Sequence, residues 1–358
     1  MIKYQTTAQK KDALIPSRSD FGKILLTRHT NLSSKDRRNI LLSEIGEMGE
    51  NKVIEIMKEF GGKEWTYLKN VWLDKGGRYE SDLIVITKSG IYVFEIKNYE
   101  GYFEYDNGDC KINNYDLTEN CIAQASRAYK KMRSICKDAL IDAKVHGAIV
   151  FIGEYNPVEI KSVISNIQVI KRSGLKKYIA DMLDAEKYFH ETSVDTDLLM
   201  KQLNHYSIPD PFRFDPLPIH EMSDIRTGIC CARCQSFELN FNRRYYVICN
   251  CGLEESREEA LIRTICDYGV LTYNQNLHPM KIYHFIGKLI PHTSLYRVIN
   301  KHFMKTHPQK RLGYINKKLP WDKISSQFTI AKPKKLYLYN NSVELNIYNK
   351  TESISTTL

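Results

Sequence analysis

The chain has 358 residues, 42% of them hydrophobic, which is enough for two or three domains that each bury a core. It shows neither an N-terminal apolar stretch typical of a signal peptide nor a run of about 18 apolar residues, which excludes a membrane span and predicts a cytoplasmic protein without a membrane partner. The net charge of +10 and the nine unevenly spread cysteines favour a nucleic-acid partner and a reducing compartment over a disulfide-linked secreted protein.

The N-terminal part contains one weak and one clear structural pattern. Residues 1–38 are polar except for an apolar patch at 24–26, and they are predicted to form an extension that packs on the core that follows. Further on, apolar residues recur at helical spacing at Ile45, Val53, Ile56 and Phe60. This pattern predicts a helix in which Glu50 lies beside the buried stripe. A solvated surface glutamate is one interpretation of that position.

Two apolar runs on either side of Ser89–Gly90 predict a β-hairpin with its turn at these two residues. In that register Asp82 lies opposite Lys97, and the period of two places Asp82, Glu95 and Lys97 on one face. Two carboxylates and a lysine in apolar strands are costly to bury unless they pair or hold a metal. The set suits a divalent cation, with the lysine orienting or activating a water. An ordinary cross-strand ion pair is the alternative.

Four segments between residues 40 and 155 share their order and spacing with a known family. The helix contains Gly49-Glu50, the hairpin contains Glu-x-Asp at 80–82 and Glu-x-Lys at 95–97, and residues 120–125 read Asn-Cys-Ile-Ala-Gln-Ala. These segments resemble the nuclease-related domain (NERD) of the PD-(D/E)xK nucleases. Cys121 stands where that family usually has proline. Proline there presets only the first helical turn, so the departure affects the helix start more than the role of Gln124.

The resemblance implies an α/β fold with a restriction-endonuclease-like core, in which helices flank a mixed central sheet. It also implies metal-dependent hydrolysis of phosphodiester bonds; an endonuclease is the expected class, and exonucleolytic attack stays open. The implied catalytic residues are Glu50, Asp82, Glu95, Lys97 and Gln124. Asp82 and Glu95 would coordinate Mg²⁺ or Mn²⁺, Glu50 would add a ligand through water, and Lys97 would position the nucleophile. Gln124 would orient the water or a phosphate oxygen.

A second class of function remains open at this point. The chain could be a non-catalytic DNA-binding or regulatory protein that uses a nuclease fold as a platform. All five implied positions are filled, however, which argues against a degenerate site. DNA is the expected nucleic acid, RNA stays open, and the sequence does not decide whether the chain forms a homo-oligomer.

Two cysteine groups flank an apolar and aromatic stretch and predict a zinc ribbon. The expected Zn²⁺ ligands are Cys231, Cys234, Cys249 and Cys251. Four thiolates leave no open position on the ion, so the zinc would be structural and would hold together a module with almost no core. Cys230 could replace Cys231 as a ligand, and four free thiols are the alternative.

The C-terminal part is strongly basic. Residues 281–336 hold thirteen basic residues and one acid, so this segment carries +12, whereas the rest of the chain sums to −2. Three short helical patterns follow the ribbon, and the last, at 293–303, is typical of the second helix of a helix-turn-helix unit. The residues expected to face a DNA groove are Tyr296, Arg297, Asn300 and Lys301. A small helical bundle with a solvated basic face is the alternative.

Apolar runs predict that a strand at 146–152 continues the central sheet and that a strand at 167–170 precedes a helix at 175–183. Residues 208–218 contain four prolines, which disfavour a helix, so this segment is the best candidate for a linker. The expected domains are an N-terminal extension at 1–38, a nuclease-related domain at 39–185, a connecting segment at 186–225, a zinc ribbon at 226–256, a basic helical domain at 257–336 and a polar tail at 337–358.

Overall fold

A computed structural model of the chain describes residues 16–188, 194–217, 219–306 and 313–316. The predicted tail at 337–358 and most of the basic segment beyond Thr306 lie outside these residues. The helices and strands in chain order are α1 Arg18–Arg28, α2 Ser34–Phe60, β1 Thr66–Asp74, β2 Arg78–Ile86, β3 Ile91–Lys97, β4 Phe103–Asp106, β5 Asp109–Ile112, β6 Tyr115–Asp116, α3 Cys121–Asp138, β7 Val145–Phe151, β8 Val158–Ile160, β9 Ile167–Lys171, α4 Leu175–Lys187, α5 Thr196–Tyr206, β10 Leu239–Asn240, β11 Tyr246–Cys249, β12 Glu254–Ser256, α6 Arg257–Leu271, α7 Pro279–Phe285 and α8 His292–His302.

The chain divides into two compact units, each built from separate parts of the sequence. The described residues of the first unit lie within 16–51, 71–80 and 197–316, and those of the second lie within 52–70 and 81–196. No helix among the described residues combines the length and the apolar character that a bilayer crossing requires.

The second unit is organised around a mixed five-stranded sheet in the order β1-β2-β3-β7-β9. Strands β2 and β3 are antiparallel, whereas β3, β7 and β9 run parallel. The predicted strand at 146–152 is confirmed as β7, and the predicted strand and helix near 167–183 are confirmed as β9 and α4. One face of the sheet packs on α4 and the C-terminal half of α2, and the other packs on α3. The unit is therefore of mixed α/β architecture.

The hairpin of β2 and β3 has a different register from the predicted one. Ile86 pairs with Ile91, and Thr87 bonds to Gly90, so the two-residue turn is Lys88–Ser89. The prediction of a turn at Ser89–Gly90 is wrong by one position, which shifts every cross-strand pair by two residues. A shift of two preserves which side chains share a face.

A second, four-stranded sheet was not predicted. Its order is β6-β5-β4-β8, and Phe103, Cys110 and Val158 pack from it against α3. Its strands have two to four residues each, too short for a clear alternation of apolar and polar positions.

The first unit has its own core, to which α1, α6, α7 and α8 all contribute. Ile24 and Leu25 are buried in this cluster. The prediction that the apolar patch at 24–26 packs on the nuclease core is therefore wrong, because these residues pack on the C-terminal helices. The same unit contains a small antiparallel sheet, β10-β11-β12.

Candidate active site and cysteine cluster

Asp82, Glu95 and Lys97 lie on the face of the five-stranded sheet that α3 covers. Their neighbours Leu83 and Ile96 are buried in the core on the opposite face, and side chains alternate along a strand. Continuing the β2–β3 register by one residue places Asp82 directly opposite Glu95. The strand period therefore brings the two carboxylates and the lysine together.

Lys97 contacts both Glu95 and Gln124. Its Nζ lies 2.7 Å from Oε1 of Glu95 and donates a hydrogen bond of 2.9 Å to Oε1 of Gln124. Asp82 accepts a backbone hydrogen bond, from the N–H of Ile96 to Oδ2, at 2.6 Å. The side chains of Glu95 and Lys97 are 7% and 18% exposed, so the pair is largely removed from water. A surface salt bridge lacks this property.

The surroundings of Lys97 determine its charge. Burial by itself lowers the pKa of the ammonium, but Glu95, Tyr99 and Asp82 raise the pKa by more, so it lies above the ordinary lysine value. An ammonium donates hydrogen bonds and cannot accept a proton. In this structure Lys97 is therefore a hydrogen-bond donor to Glu95 and Gln124.

The start of α3 determines where Gln124 lies. Asn120 is the N-cap, and its Oδ1 accepts a hydrogen bond from the N–H of Ala123 at 2.8 Å. The helix therefore begins at Cys121. The asparagine cap stabilises the first turn, whose backbone a proline at this position would have preset. In this frame Gln124 lies in the first turn, within reach of the sheet.

The amide of Gln124 is held in one orientation. Its Nε2 donates a hydrogen bond of 2.9 Å to Oε2 of Glu119, and its Oε1 accepts the bond from Lys97. A carboxylate only accepts and an ammonium only donates, so the two partners distinguish the nitrogen from the oxygen of the amide. Glu119 thus positions Gln124, which in turn positions Lys97.

Sequence reasoning missed Glu119 and Tyr99. Tyr99 stacks on Phe103, with 6.1 Å between the ring centroids. Burial raises the pKa of Tyr99 despite the opposing effect of Lys97. The period of two through 95, 97 and 99 could have indicated Tyr99. Glu119 has no comparable signal, because its position depends on the loop before α3.

Glu50 belongs to the first unit, on α2, and is partly exposed. Its expected role as an additional ligand stays a prediction.

The donor set of Asp82 and Glu95 suits a hard divalent cation. Carboxylate oxygens are preferred ligands of Mg²⁺ and Mn²⁺, and Mg²⁺ is commonly bound by one or two carboxylates together with water and substrate phosphates. Among the described residues, the only group of three or more metal-ligating side chains within mutual reach is a set of cysteines. Asp82 and Glu95 therefore offer oxygen donors of the type that such a cation prefers, and the binding of a cation by these two residues stays a prediction.

The cysteine cluster consists of Cys231, Cys234, Cys249 and Cys251, whose sulfur atoms all lie within 4.8 Å of one another. The Sγ atoms of Cys231 and Cys251 are 3.6 Å apart, and those of Cys234 and Cys249 are 3.4 Å apart. Bonds of about 2.3 Å to a tetrahedral zinc ion imply sulfur separations of about 3.8 Å. The four sulfurs therefore fit one tetrahedral ion such as Zn²⁺.

Two turns of the backbone position these sulfur atoms. In the first, the N–H of Arg233 approaches Sγ of Cys231 at 3.3 Å. In the second, the N–H of Gly252 bonds to the carbonyl of Cys249 at 2.9 Å, with Gly252 at φ +82°, a conformation that glycine adopts without strain.

Cys230 lies outside the cluster, although it is adjacent in sequence. Its thiol is buried between two guanidinium groups, 3.5 Å from Arg263 Nη1 and 3.8 Å from Arg28 Nη2. Arg28 also bonds to Asp267 at 2.8 Å. The structure therefore distinguishes Cys231 from Cys230, a choice that the sequence left open.

The residues expected to contact DNA lie on α8 in different environments. Lys301 Nζ is 2.7 Å from Oε1 of Glu258, and Asn300 Oδ1 accepts a hydrogen bond from the hydroxyl of Tyr314 at 2.7 Å. The ring of Tyr296 packs on His292 at 4.6 Å. Arg297 is exposed. Contacts within the protein therefore already engage three of the four side chains.

A family comparison covers the segment that contains the candidate active site. Residues 45–152 match the model of the nuclease-related domain. Searches of the curated proteins and of the solved structures found no match. The nuclease-related segment extends from within α2 to the end of β7, so it includes Asp82, Glu95, Lys97 and Gln124. The match indicates a nuclease-related function for this segment, with nucleic acid as the class of substrate.

Proposed function

We propose that the chain is a metal-dependent nuclease that hydrolyses phosphodiester bonds in DNA. The proposal rests on the position of Lys97 between Glu95 and Gln124, on the same sheet face as Asp82 and within the nuclease-related segment. A simple ion pair accounts for the contact with Glu95. It does not account for a second carboxylate on the same face, nor for an amide held in one orientation toward the same lysine.

Asp82 and Glu95 would hold Mg²⁺ or Mn²⁺. Such an ion, when bound, supplies Lewis-acid stabilisation of a phosphate and lowers the pKa of a water molecule. Lys97 would donate hydrogen bonds to a phosphate oxygen or to the nucleophile and so fix its position. Gln124 and Glu119 would hold the ammonium in that position.

The cysteine cluster and the C-terminal helices are proposed to support binding and not to take part in cleavage. Zn²⁺ on four thiolates has no open coordination position, so it would stabilise the small sheet β10-β11-β12 as a ribbon. Arg297 on α8 would contact a DNA phosphate in a helix-turn-helix arrangement.

The test compares cleavage of supercoiled plasmid, linear duplex and RNA by the purified full chain, with Mg²⁺, with Mn²⁺ and with no divalent ion added. Omitting the ion is preferable to a strong chelator, which would also remove zinc. Asp82→Asn and Glu95→Gln keep the side-chain shape and should abolish cleavage. Asp109→Asn, an exposed change on β5, is the matched control and should leave it intact.

Glu50→Gln tests the additional ligand, with Glu55→Gln, an exposed position on the same helix, as its control. Loss of activity in the first variant only would support the role expected for Glu50. If the wild-type chain binds nucleic acid but cleaves none of the substrates with either ion, the nuclease proposal fails and the fold serves as a binding platform.

A further inference from the structure

Helix α3 carries a one-sided positive charge. It contains five basic residues and one acid, Asp138. The basic residues are Arg127, Lys130, Lys131, Arg133 and Lys137. The neighbouring helix α4 has three basic and three acidic residues. The charge of α3 is therefore a property of this helix and not of surface helices in this unit generally.

The charge covers the solvent-facing half of α3. The apolar half, which includes Ala125, Tyr129 and Met132, is buried, whereas Arg127, Lys130 and Lys137 are exposed. Within the part of the chain that the structure describes, these three cations form no ion pair. They are therefore available to a partner.

The spacing of these cations is unfavourable for the helix itself. Arg127 and Lys131, like Arg133 and Lys137, are four residues apart, and Lys130 is three residues from both arginines. Like charges at these separations destabilise a helix, and Glu–Lys pairs would be the stabilising choice. A negatively charged partner would attract each of these cations and so offset the repulsion between them.

The basic surface starts at the candidate active site. Gln124, which contacts Lys97, lies on the first turn of α3, and Lys137 lies near its last turn. Thirteen residues of helix span about 20 Å, which equals the axial rise of about six phosphates on one strand of a duplex. A cavity of about 420 Å³ lies beside the distal half and is lined by Lys130, Arg133 and Lys137, with Asp142 as its acid.

We propose that the exposed face of α3 binds the phosphate backbone of duplex DNA and directs it to the site at Lys97. The inference rests on the proposed nuclease function. It adds a binding surface within the second unit to the one proposed for the basic C-terminal segment. Duplex DNA is favoured over a single strand because the aromatic residue of α3, Tyr129, is buried and offers no ring on which bases can stack.

The test measures binding of the full chain to a fluorescent duplex of about 20 base pairs, with no divalent ion added, between roughly 50 and 200 mM salt. The test variant combines Arg127→Gln, Lys130→Gln and Lys137→Gln. The control variant removes the same charge from the same unit, outside α3, by combining Lys63→Gln, Lys88→Gln and Lys177→Gln, which are all exposed. Circular dichroism and a thermal melt check folding, and the pair Arg127→Gln and Lys137→Gln replaces the triple variant if it misfolds.

The α3 variant should bind the duplex at least about tenfold more weakly than wild type, and its log-log salt slope should become shallower by roughly 2 to 3. The control variant should stay within about twofold of wild type. Equal losses in the two variants, or no loss in either, would overturn the proposal. An equal loss for single-stranded DNA would overturn the duplex assignment.

Cleavage by the wild-type chain, measured in parallel, separates this inference from the nuclease proposal. Binding that depends on α3 without any cleavage would leave the surface assigned and remove the nuclease function. Cleavage by the wild-type chain, together with wild-type binding by the α3 variant, would support the nuclease function and overturn the assignment of the α3 surface.

Discussion

The side-chain oxygen of Gln124 accepts a hydrogen bond from Lys97 at 2.9 Å. Because Glu119 binds the amide nitrogen, the oxygen is directed toward the ammonium. Gln124→Leu should therefore lower kcat roughly tenfold to a hundredfold, since a misplaced positioning group costs rate and not affinity. KM for duplex DNA should change little.

Glu119→Gln offers a finer test of the same relationship, because the new amide permits Gln124 to rotate. It should lower kcat by less than Gln124→Leu does, and Glu119→Asp should recover part of the rate. Gln168→Leu, at an exposed position on β9, is the control and should have wild-type kinetics. A large rise in KM with unchanged kcat would show that Gln124 binds substrate and does not position Lys97.

Lys97→Met should destabilise the metal-free protein. The change leaves the buried carboxylate of Glu95 without its ammonium, and breaking a buried pair costs about 3–5 kcal/mol. We expect the lower end of this range, because 18% of the Lys97 side chain is exposed. Urea denaturation without divalent ions measures the difference.

The double variant Lys97→Met and Glu95→Leu should regain most of the lost stability, because it removes the uncompensated charge. Mg²⁺ should also raise the stability of the single variant, by binding its folded state. If the single variant is as stable as wild type, Glu95 and Lys97 do not form the buried pair described.

The shared face of Asp82, Glu95 and Lys97 was predictable although the hairpin register was not. The strand period of two depends only on local sequence, and the observed slip of two residues leaves each side chain on its face. The turn itself was not predictable from Ser89–Gly90, because the hydroxyl of Thr87 binds both the N–H and the carbonyl of Gly90 and closes the turn one residue earlier.

Other features depend on contacts that are distant in sequence. The cysteine pattern favoured Cys231 as a ligand but left Cys230 open, and the two thiols differ in the structure because Arg28 and Arg263 surround only Cys230. The packing of Ile24 with the C-terminal helices has the same origin. Local patterns predicted some of the helices and strands, such as β7 and α4, but they carry no information on which distant helix covers an apolar patch.

Cys251→Ser should remove the bound zinc from the full chain, whereas Cys230→Ser should retain it. The first change replaces a sulfur of the cluster, and the second replaces a thiol that lies between two guanidinium groups. Metal analysis after dialysis measures zinc per chain, with about one expected for wild type. Zinc lost from Cys230→Ser and kept by Cys251→Ser would contradict the assignment of ligands.

Arg28→Met should destabilise the first unit by about 3–5 kcal/mol, because Arg28 is fully buried and its loss leaves the Asp267 carboxylate uncompensated. Adding Asp267→Leu should restore part of this stability. Arg18→Met on the same helix is the control: Arg18 bonds to partly exposed Asp210 and should contribute less than about 1 kcal/mol. Thermal denaturation of the full chain measures each variant, and equal effects of Arg28 and Arg18 would contradict the buried role.

The two basic residues of α8 should respond differently to charge reversal. Arg297 is exposed, so Arg297→Glu should weaken duplex binding and leave the Tm unchanged. Its log-log salt slope should become shallower by about the contribution of one phosphate contact. Lys301 is paired with Glu258, so Lys301→Glu would bring two carboxylates together and should lower the Tm as well.

Point changes are the appropriate test of the C-terminal part. The first unit combines residues up to 51 with residues from 197 onward, so a truncation that removes the C-terminal helices would divide its core. Lys301→Gln is the matched control for Lys301→Glu, since it removes the ion pair without adding repulsion. If Arg297→Glu binds DNA with wild-type affinity and salt dependence while the α3 variant does not, α8 does not contact the phosphate backbone and the nuclease-related segment supplies the affinity.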